Sequence, residues 1–228
     1  MLQRLIKFFK KKFLLLLSVV GLVNVGFSTS LPKSCSFDCV RPFGSVLGMN
    51  SNVIAYSNCN NDCISKVPAT VIDNIYSGMS WQCVEYARRW LIVLKHLRFG
   101  DVDNAEQIWD LDYVSNLSDD KKYKFIAKPN PSSEPPEVGD LIIYKISLPD
   151  FPYGHVGVIV GVNTEAGYVD IAEQNYTNDL WMDPKKFARR IIMNHKHGKY
   201  HLLDKDYANL VKVSIGGVII GWKHVLIN

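Results

Sequence analysis

Five cysteines stand in this chain, at Cys35, Cys39, Cys59, Cys63 and Cys83. The first four form two Cys-x-x-x-Cys pairs, a pattern read as disulfides in an oxidising compartment, with three connectivities that spacing cannot separate. A four-cysteine zinc site is the other use of such pairs, but metal sites favour tighter Cys-x-x-Cys spacing, so no metal is expected. Either use takes an even number, and Cys83 is left over. A lone thiol is inert in a core. At a helix N-terminus or beside a histidinium its pKa falls from about 8.5 to roughly 3.5–7.5, and the thiolate becomes a nucleophile. Position alone leaves both readings of Cys83 open.

His155 bears on that choice. It opens the run Val156-Gly157-Val158-Ile159-Val160-Gly161-Val162, behind Gly154. A hairpin centred near Thr164 pairs positions whose numbers sum to about 328, which sets His155 opposite Glu173. Asn175 falls on the same face, two residues on. A thiol, an imidazole and a group that orients the imidazole are the parts of a covalent acyl-transfer site. The remaining histidines, His96, His195, His197, His201 and His224, show no such partner, and His195-Lys196-His197 reads as a solvated loop.

These groups need elements to carry them. Trp81, Val84, Ala87, Leu91 and Leu94 recur at helical spacing, which predicts a helix over about 81–98 with Ser80 as N-cap and Phe99-Gly100 as stop. Glu85, Arg88, Arg89 and Lys95 take its other faces. Cys83 then lies in the first turn, where free N–H groups favour an anion and could hold an oxyanion. Residues 101–127 read as helical or mixed, anchored by Ile108, Trp109 and Leu111, and a proline-rich connector follows to Val138-Gly139-Asp140. Strands are expected at 141–144, 155–162, 168–175, 189–193 and 211–220, closing with Gly221-Trp222. Helix first and sheet second makes one α+β domain with a nucleophile helix packed on an antiparallel sheet. Before it, residues 31–79 read as irregular and cysteine-stapled.

The leader has a different character. Residues 1–12 are basic, 13–27 carry no charge, and Ser28-Thr29-Ser30 are small. That is the pattern of a signal peptide, or of a signal anchor if uncleaved. Removing its five cations (Arg4, Lys7, Lys10, Lys11 and Lys12) from the total leaves 21 basic against 22 acidic residues. The basic balance belongs to the leader, so nucleic acid is not an expected partner. With 47% hydrophobic residues the chain can build a core, which excludes a disordered protein. Residues 1–30 are thus read as leader, 31–69 as a cysteine-rich segment and 70–228 as the catalytic domain, working as a secreted or lumenal monomer. Only an uncleaved leader would bring it to a membrane. Asn116-Leu117-Ser118 and Asn175-Tyr176-Thr177 are glycosylation sequons, the second expected to stay unused because it falls in the site.

Four ordered stretches carry a resemblance: Trp81-Gln82-Cys83-Val84-Glu85-Tyr86-Ala87-Arg88-Arg89-Trp90, Pro136-x-x-Gly139-Asp140-Leu141-Ile142-Ile143-Tyr144, Gly154-His155-Val156-Gly157-Val158-Ile159 and Ile171-Ala172-Glu173-Gln174-Asn175. Together with Gly221-Trp222 they resemble the CHAP amidohydrolases/peptidases, and more narrowly the amidase domain of glutathionylspermidine and trypanothione synthetase/amidases, over about residues 70–225. The resemblance implies a papain-like fold of the NlpC/P60-CHAP type and hydrolysis of an amide through a thioester, without cofactor. It implies Cys83 as nucleophile, His155 as base and then acid, and Glu173 as its orienter. Gln82 and the Cys83 N–H would serve the oxyanion, and Asn175 would help orient. Arg88, one turn on, would meet a substrate carboxylate or form a surface ion pair. The ATP-dependent ligase half of the bifunctional enzymes is missing, and a leader and cysteine-rich segment stand in front. The implied substrates are a peptide of bacterial wall, of the D-alanyl-glycyl sort, or a glutathione–polyamine conjugate. Acyl transfer to an amine would use the same residues, and a wall- or glycan-binding module that keeps the fold without catalysis is the alternative of another class.

Overall fold

Apolar alternation and short turns translate into strands along most of the chain. In this computed structural model residues 31–71, 74–207 and 215–227 are described. The expected leader, residues 1–30, lies outside them. The segment expected to be irregular contains two hairpins: β1 (Val46–Asn50) with β2 (Val53–Tyr56), and β3 (Pro68–Val71) with β4 (Ile75–Met79). Then come α1 (Cys83–Lys95), β5 (Leu97–Phe99), β6 (Tyr113–Asn116), β7 (Lys122–Pro129) and β8 (Leu141–Tyr144). β9 (His155–Asn163), β10 (Tyr168–Ala172), β11 (Arg189–Lys196), β12 (Lys199–Asp206) and β13 (Ile219–Leu226) complete the chain. Nine strands form one antiparallel sheet in the order β12-β11-β10-β9-β8-β13-β7-β6-β5. The architecture is α+β, mostly antiparallel sheet, and α1 is the one α-helix among the described residues.

Helix α1 is shorter than its apolar spacing predicts at both ends. Gln82, not Ser80, is the N-cap, with extended backbone and no side-chain capping bond. At the other end His96 turns left-handed (φ 53°) and returns its N–H to the Ile92 carbonyl. Leu97 and Phe99 then pair with Asn116 and Val114 instead of continuing the helix. The charged residues on the other faces are mostly buried too. Glu85, Arg88 and Arg89 are buried with Tyr86, Leu91 and Ile92, since α1 packs against β4, β5 and β9. Burial of such charges is tolerated only where they satisfy one another. Arg89 Nε and Nη2 donate to the Glu85 carboxylate at 2.7 and 3.0 Å, and Ser77 Oγ donates to it at 2.8 Å. Leu91 and Ile92, at 1% and 0% exposure, each contribute roughly 1.5–3 kcal/mol.

Other expectations need correction. Residues 101–127 hold only a 3-10 turn at Glu106–Asp110, followed by β6 and the start of β7. β10 stops at Ala172 instead of 175, because Asn175 takes φ 55° and turns the chain. Within the expected strand 211–220 only Ile219 onward pairs. Residues 211–214 lie outside the described range, and the N–H groups of Gly216 and Gly217 go to Asp204. Gly221-Trp222 sits inside β13, which runs on to Leu226. β12 was not foreseen. It pairs with β11, so His195 and Lys196 are strand residues at a hairpin end and not a solvated loop. His224 does have a carboxylate partner: its Nδ1 lies 2.8 Å from Asp140 Oδ1.

Candidate active site

Cys83 is the first residue of α1, 9% exposed, and His155 is the first residue of β9, 2% exposed. Two glycines govern how β9 delivers the histidine. Gly154 has φ 64°, and a Cβ there would lie 2.7 Å from the Tyr144 carbonyl oxygen, so a side chain at 154 would obstruct the turn. Gly157, three residues on, would place a Cβ 2.5 Å from Ile171 Cγ2 and 3.4 Å from Glu173 Oε2. Its bare backbone leaves the space that the Ile171 side chain occupies.

The hairpin register differs from the expected one. Tyr168 pairs with Asn163, a sum of 331, and a bulge between Asp170 and Ile171 brings Ala172 opposite Val158, a sum of 330. Glu173 therefore is not opposite His155 but extends past the last pair, diagonal to it on the same face. A diagonal neighbour is within reach of long side chains. His155 Nε2 and Glu173 Oε2 are 2.8 Å apart, both groups buried. That leaves Nδ1 as the ring nitrogen for the hydrogen bond that His155 shares with Cys83. T-shaped contacts with Tyr144 (centroids 5.5 Å) and Tyr176 (5.1 Å) hold the ring.

The electrostatics follow from these contacts. Burial alone would push the Cys83 thiol up. The charge and hydrogen bond of His155, with the backbone N–H groups of Val156 and Val84, outweigh it and lower its pKa. Burial likewise opposes a charged His155, but the Cys83 charge and hydrogen bond and the Glu173 carboxylate raise it to about 9. Against its own burial, Glu173 is drawn down to about 2 by the Arg189 charge and the His155 hydrogen bond. These shifts run in the direction that favours a thiolate–imidazolium pair backed by a carboxylate.

Sequence reasoning missed what lies behind Glu173. Arg189 donates from Nε to Glu173 Oε1 and from Nη2 to Glu173 Oε2 at 3.1 Å, while its Nη1 reaches Asp204 Oδ1 at 2.6 Å. Asp204 accepts from Tyr144 and Tyr176 hydroxyls at 3.2 and 2.7 Å, and the Arg189 guanidinium lies 3.5 Å from the Tyr176 ring centroid. A signal was present. In β11 Arg189 shares the inward parity of Ile191 and Met193, and in β12 Asp204 shares that of Leu202. An arginine at a core position requires a buried acid.

The lower-ranking site residues fall as follows. Asn175 lines the same cavity as His155 but directs its amide elsewhere. Its Nδ2 donates to Gln82 Oε1 at 2.9 Å and its Oδ1 accepts from Asn178, so the sequon nitrogen is engaged. Gln82 Nε2 is directed at Asn58 Oδ1 (3.3 Å) and the Cys63 carbonyl (3.1 Å), not into open space. Arg88 is 4% exposed, its guanidinium bonded to the carbonyls of Phe99, Ser77 and Gly100 and 3.3 Å from Asp101. It lines a cavity as a buried clamp whose ion pair reaches the exposed Asp101. The cysteine pairing is Cys35–Cys63 and Cys39–Cys59, with Cys83 free.

Cys83 lies on the wall shared by two cavities. One, of about 360 Å³, extends along α1 past Met79, Val84 and Arg88 toward Asp101 and Asp103. The other, of about 60 Å³, is lined by Phe151, Gly154, His155, Asn175 and Tyr176. A thiolate held at a helix start beside an imidazolium, opening onto space for a ligand, can add to a carbonyl carbon and return a proton to the group expelled.

Comparison with known proteins agrees with this chemistry. The CHAP domain family matches residues 74–175. The trypanothione synthetase of Crithidia fasciculata is 35% identical over 178 residues, 78% of this chain and 26% of that protein. The bifunctional glutathionylspermidine synthetase/amidase of Escherichia coli is 30% identical over 170 residues, 72% of this chain and 27% of that protein. The chain spans about a quarter of the length of these relatives. Residues 74–175, which carry Cys83, His155 and Glu173, are the part of the chain that is similar to the CHAP domain family.

Proposed function

We propose that the protein is a cysteine amidohydrolase with a papain-like fold, in which Cys83 is the nucleophile, His155 the proton carrier and Glu173 its orienter. The observation that carries the reading is the buried line from Cys83 through His155 to Glu173, with the thiol on the wall of two cavities. Cys83 Sγ adds to the amide carbonyl carbon, and the charge developing on oxygen meets the unsatisfied N–H groups at the start of α1. His155 Nδ1 gives its proton to the leaving nitrogen as the C–N bond breaks, which leaves a thioester. Water then gives a proton to His155 and attacks the thioester carbon, which frees the acid and restores the thiolate beside the protonated His155. Glu173 stays ionised throughout and holds Nε2 protonated, which keeps Nδ1 directed at sulfur. Gln82 shapes the wall, with its amide held by Asn58, Cys63 and Asn175.

The substrate class is an amide of a peptide with a primary amine. A glutathione–polyamine conjugate is favoured by the similarity to the Escherichia coli bifunctional glutathionylspermidine synthetase/amidase. A wall peptide is the second member of that class. Residues 31–69 form the cysteine-stapled segment and 70–228 the catalytic domain. A secreted or lumenal setting is supported by the two disulfides, which persist in oxidising compartments.

The test is to incubate the protein and Cys83→Ala with glutathionylspermidine and with wall muropeptides, and to read products by mass spectrometry. Cleavage by the parent chain that is lost in Cys83→Ala is expected. Equal turnover by the two would refute the assignment.

A further inference from the structure

The groups behind the histidine alternate in the sign of their charge. Asp204 Oδ1 accepts from Arg189 Nη1 at 2.6 Å, and Arg189 Nη2 donates to Glu173 Oε2 at 3.1 Å. Glu173 Oε2 lies 2.8 Å from His155 Nε2, and His155 leads to Cys83. All five residues are at most 9% exposed, and they come from β12, β11, the chain just past β10, β9 and α1. Buried charges are stable only where they are matched. With Arg189 alone behind it, Glu173 would face two cations, and the guanidinium would compete with the protonated imidazole for its charge. Asp204 takes up the second cation, so that two carboxylates face two cations.

Asp204 also fastens the walls around the imidazole. Its Oδ1 accepts from the Tyr144 hydroxyl at 3.2 Å, and its Oδ2 accepts from the Tyr176 hydroxyl at 2.7 Å and from the N–H groups of Gly216 and Gly217 at 3.0 and 2.7 Å. Those two tyrosines are the ones whose rings meet His155 edge to face. A carboxylate fits this place and an amide does not. Arg189 at Oδ1 and the glycine N–H groups at Oδ2 can only donate, so an NH₂ at either position would meet a donor. Neither Asp204 nor Arg189 is on the walls of the two cavities that Cys83 lines, so Asp204 acts on the reaction only through other residues. We infer that Asp204 is a positioning residue for the reaction: through Arg189 it holds the Glu173 carboxylate, and through Tyr144 and Tyr176 the His155 ring, in line with Cys83. This rests on Cys83 being the nucleophile and His155 its proton carrier.

Two variants separate charge from packing: Asp204→Asn keeps the size and removes the charge, and Asp204→Glu keeps the charge. The His155 imidazole is titrated by NMR in protein carrying isotope-labelled histidine, its signal assigned by its loss in His155→Gln. Hydrolysis of glutathionylspermidine and of wall muropeptides is measured on the same samples. In the parent the His155 signal should titrate at about pH 9. Tyr144 and Tyr176, the other titratable groups against the ring besides Cys83 and Glu173, are pushed upward by burial and stay protonated across this range. Removing a negative charge disfavours the imidazolium, so in Asp204→Asn the midpoint should fall by roughly one unit. Its kcat should drop on the order of tenfold to a hundredfold, with KM near that of the parent, because positioning and not binding is lost. In Asp204→Glu the midpoint should stay with the parent's, even where the longer side chain lowers kcat. A midpoint is read on folded molecules, so a smaller yield of folded protein does not move it. An unmoved midpoint or a parental kcat in Asp204→Asn, or a fallen midpoint in Asp204→Glu, would overturn the inference. Equal turnover by the parent and Cys83→Ala would instead remove the amidohydrolase reading, whatever the His155 midpoints.

Discussion

Replacing Glu173 by glutamine tests the site at the point where its charge and its geometry meet. The carboxylate is 2% exposed and holds His155 Nε2 through one oxygen and Arg189 through both. In Glu173→Gln, Arg189 can be satisfied only by the amide oxygen, since it has donors and no acceptor. The amide NH₂ is then turned to His155 Nε2, which must accept. The ring proton moves to Nδ1, where a neutral imidazole cannot take the thiol's proton. Loss of the negative charge also lowers the His155 pKa, so the imidazolium that depresses Cys83 is less populated. The two effects act together on a proton relay of the kind worth roughly 10²–10⁴-fold in rate. A loss of that size in kcat/KM is expected, with the rise in iodoacetamide labelling of Cys83 displaced to higher pH. There is a stability cost as well. A drop from the usual carboxylate value to about 2 is some two and a half units, or roughly 3 kcal/mol at 1.36 kcal/mol per unit. Because the folded pKa is depressed, that stabilisation is present at neutral pH and is lost as pH falls through about 4 to 2. Glu173→Gln should therefore unfold at lower denaturant when measured near pH 7, and the gap from the parent should close in acid. A variant with hydrolysis within threefold of the parent and an unshifted labelling profile would refute the reasoning.

Two further outcomes follow from the same contacts. Labelling of Cys83 by iodoacetamide should rise at a pH below that of a free thiol and stay high at alkaline pH, whereas hydrolysis should fall above about pH 9 as His155 loses the proton owed to the leaving amine; a labelling rise at the ordinary thiol pH would contradict the ion pair. Gly157→Ala places a methyl 2.5 Å from buried Ile171 Cγ2, so overpacking should cost about 1–3 kcal/mol in urea unfolding; unchanged stability would contradict the packing.

How much of the site was legible in the chain depended on the range of the interaction. Cys83 stood out because four other cysteines pair and it does not, and the helix that starts at it shows in the spacing of Ala87 and Leu91. His155 and Glu173 were found through hairpin arithmetic that was two to three residues off in register. The conclusion survived because the bulge at Asp170/Ile171 kept both side chains on one face. The loops at 101–112 and the second strand of the β11–β12 hairpin were not legible. Apolar residues such as Ile108 and Leu202 are too few and too interrupted by polar ones there to mark an element.

Local chemistry, then, was determined by residue order alone: which thiol is odd, which turns need glycine, which face of a strand is apolar. Tertiary structure alone decided that Arg189 and Asp204 stand behind Glu173, that Arg88 and Glu85 are buried clamps, and that the cysteine segment supplies Ile64 to the wall beside the thiol. Each of those contacts joins residues from separate elements, and an ionic group is stable in a core only where folding has brought it a complementary partner.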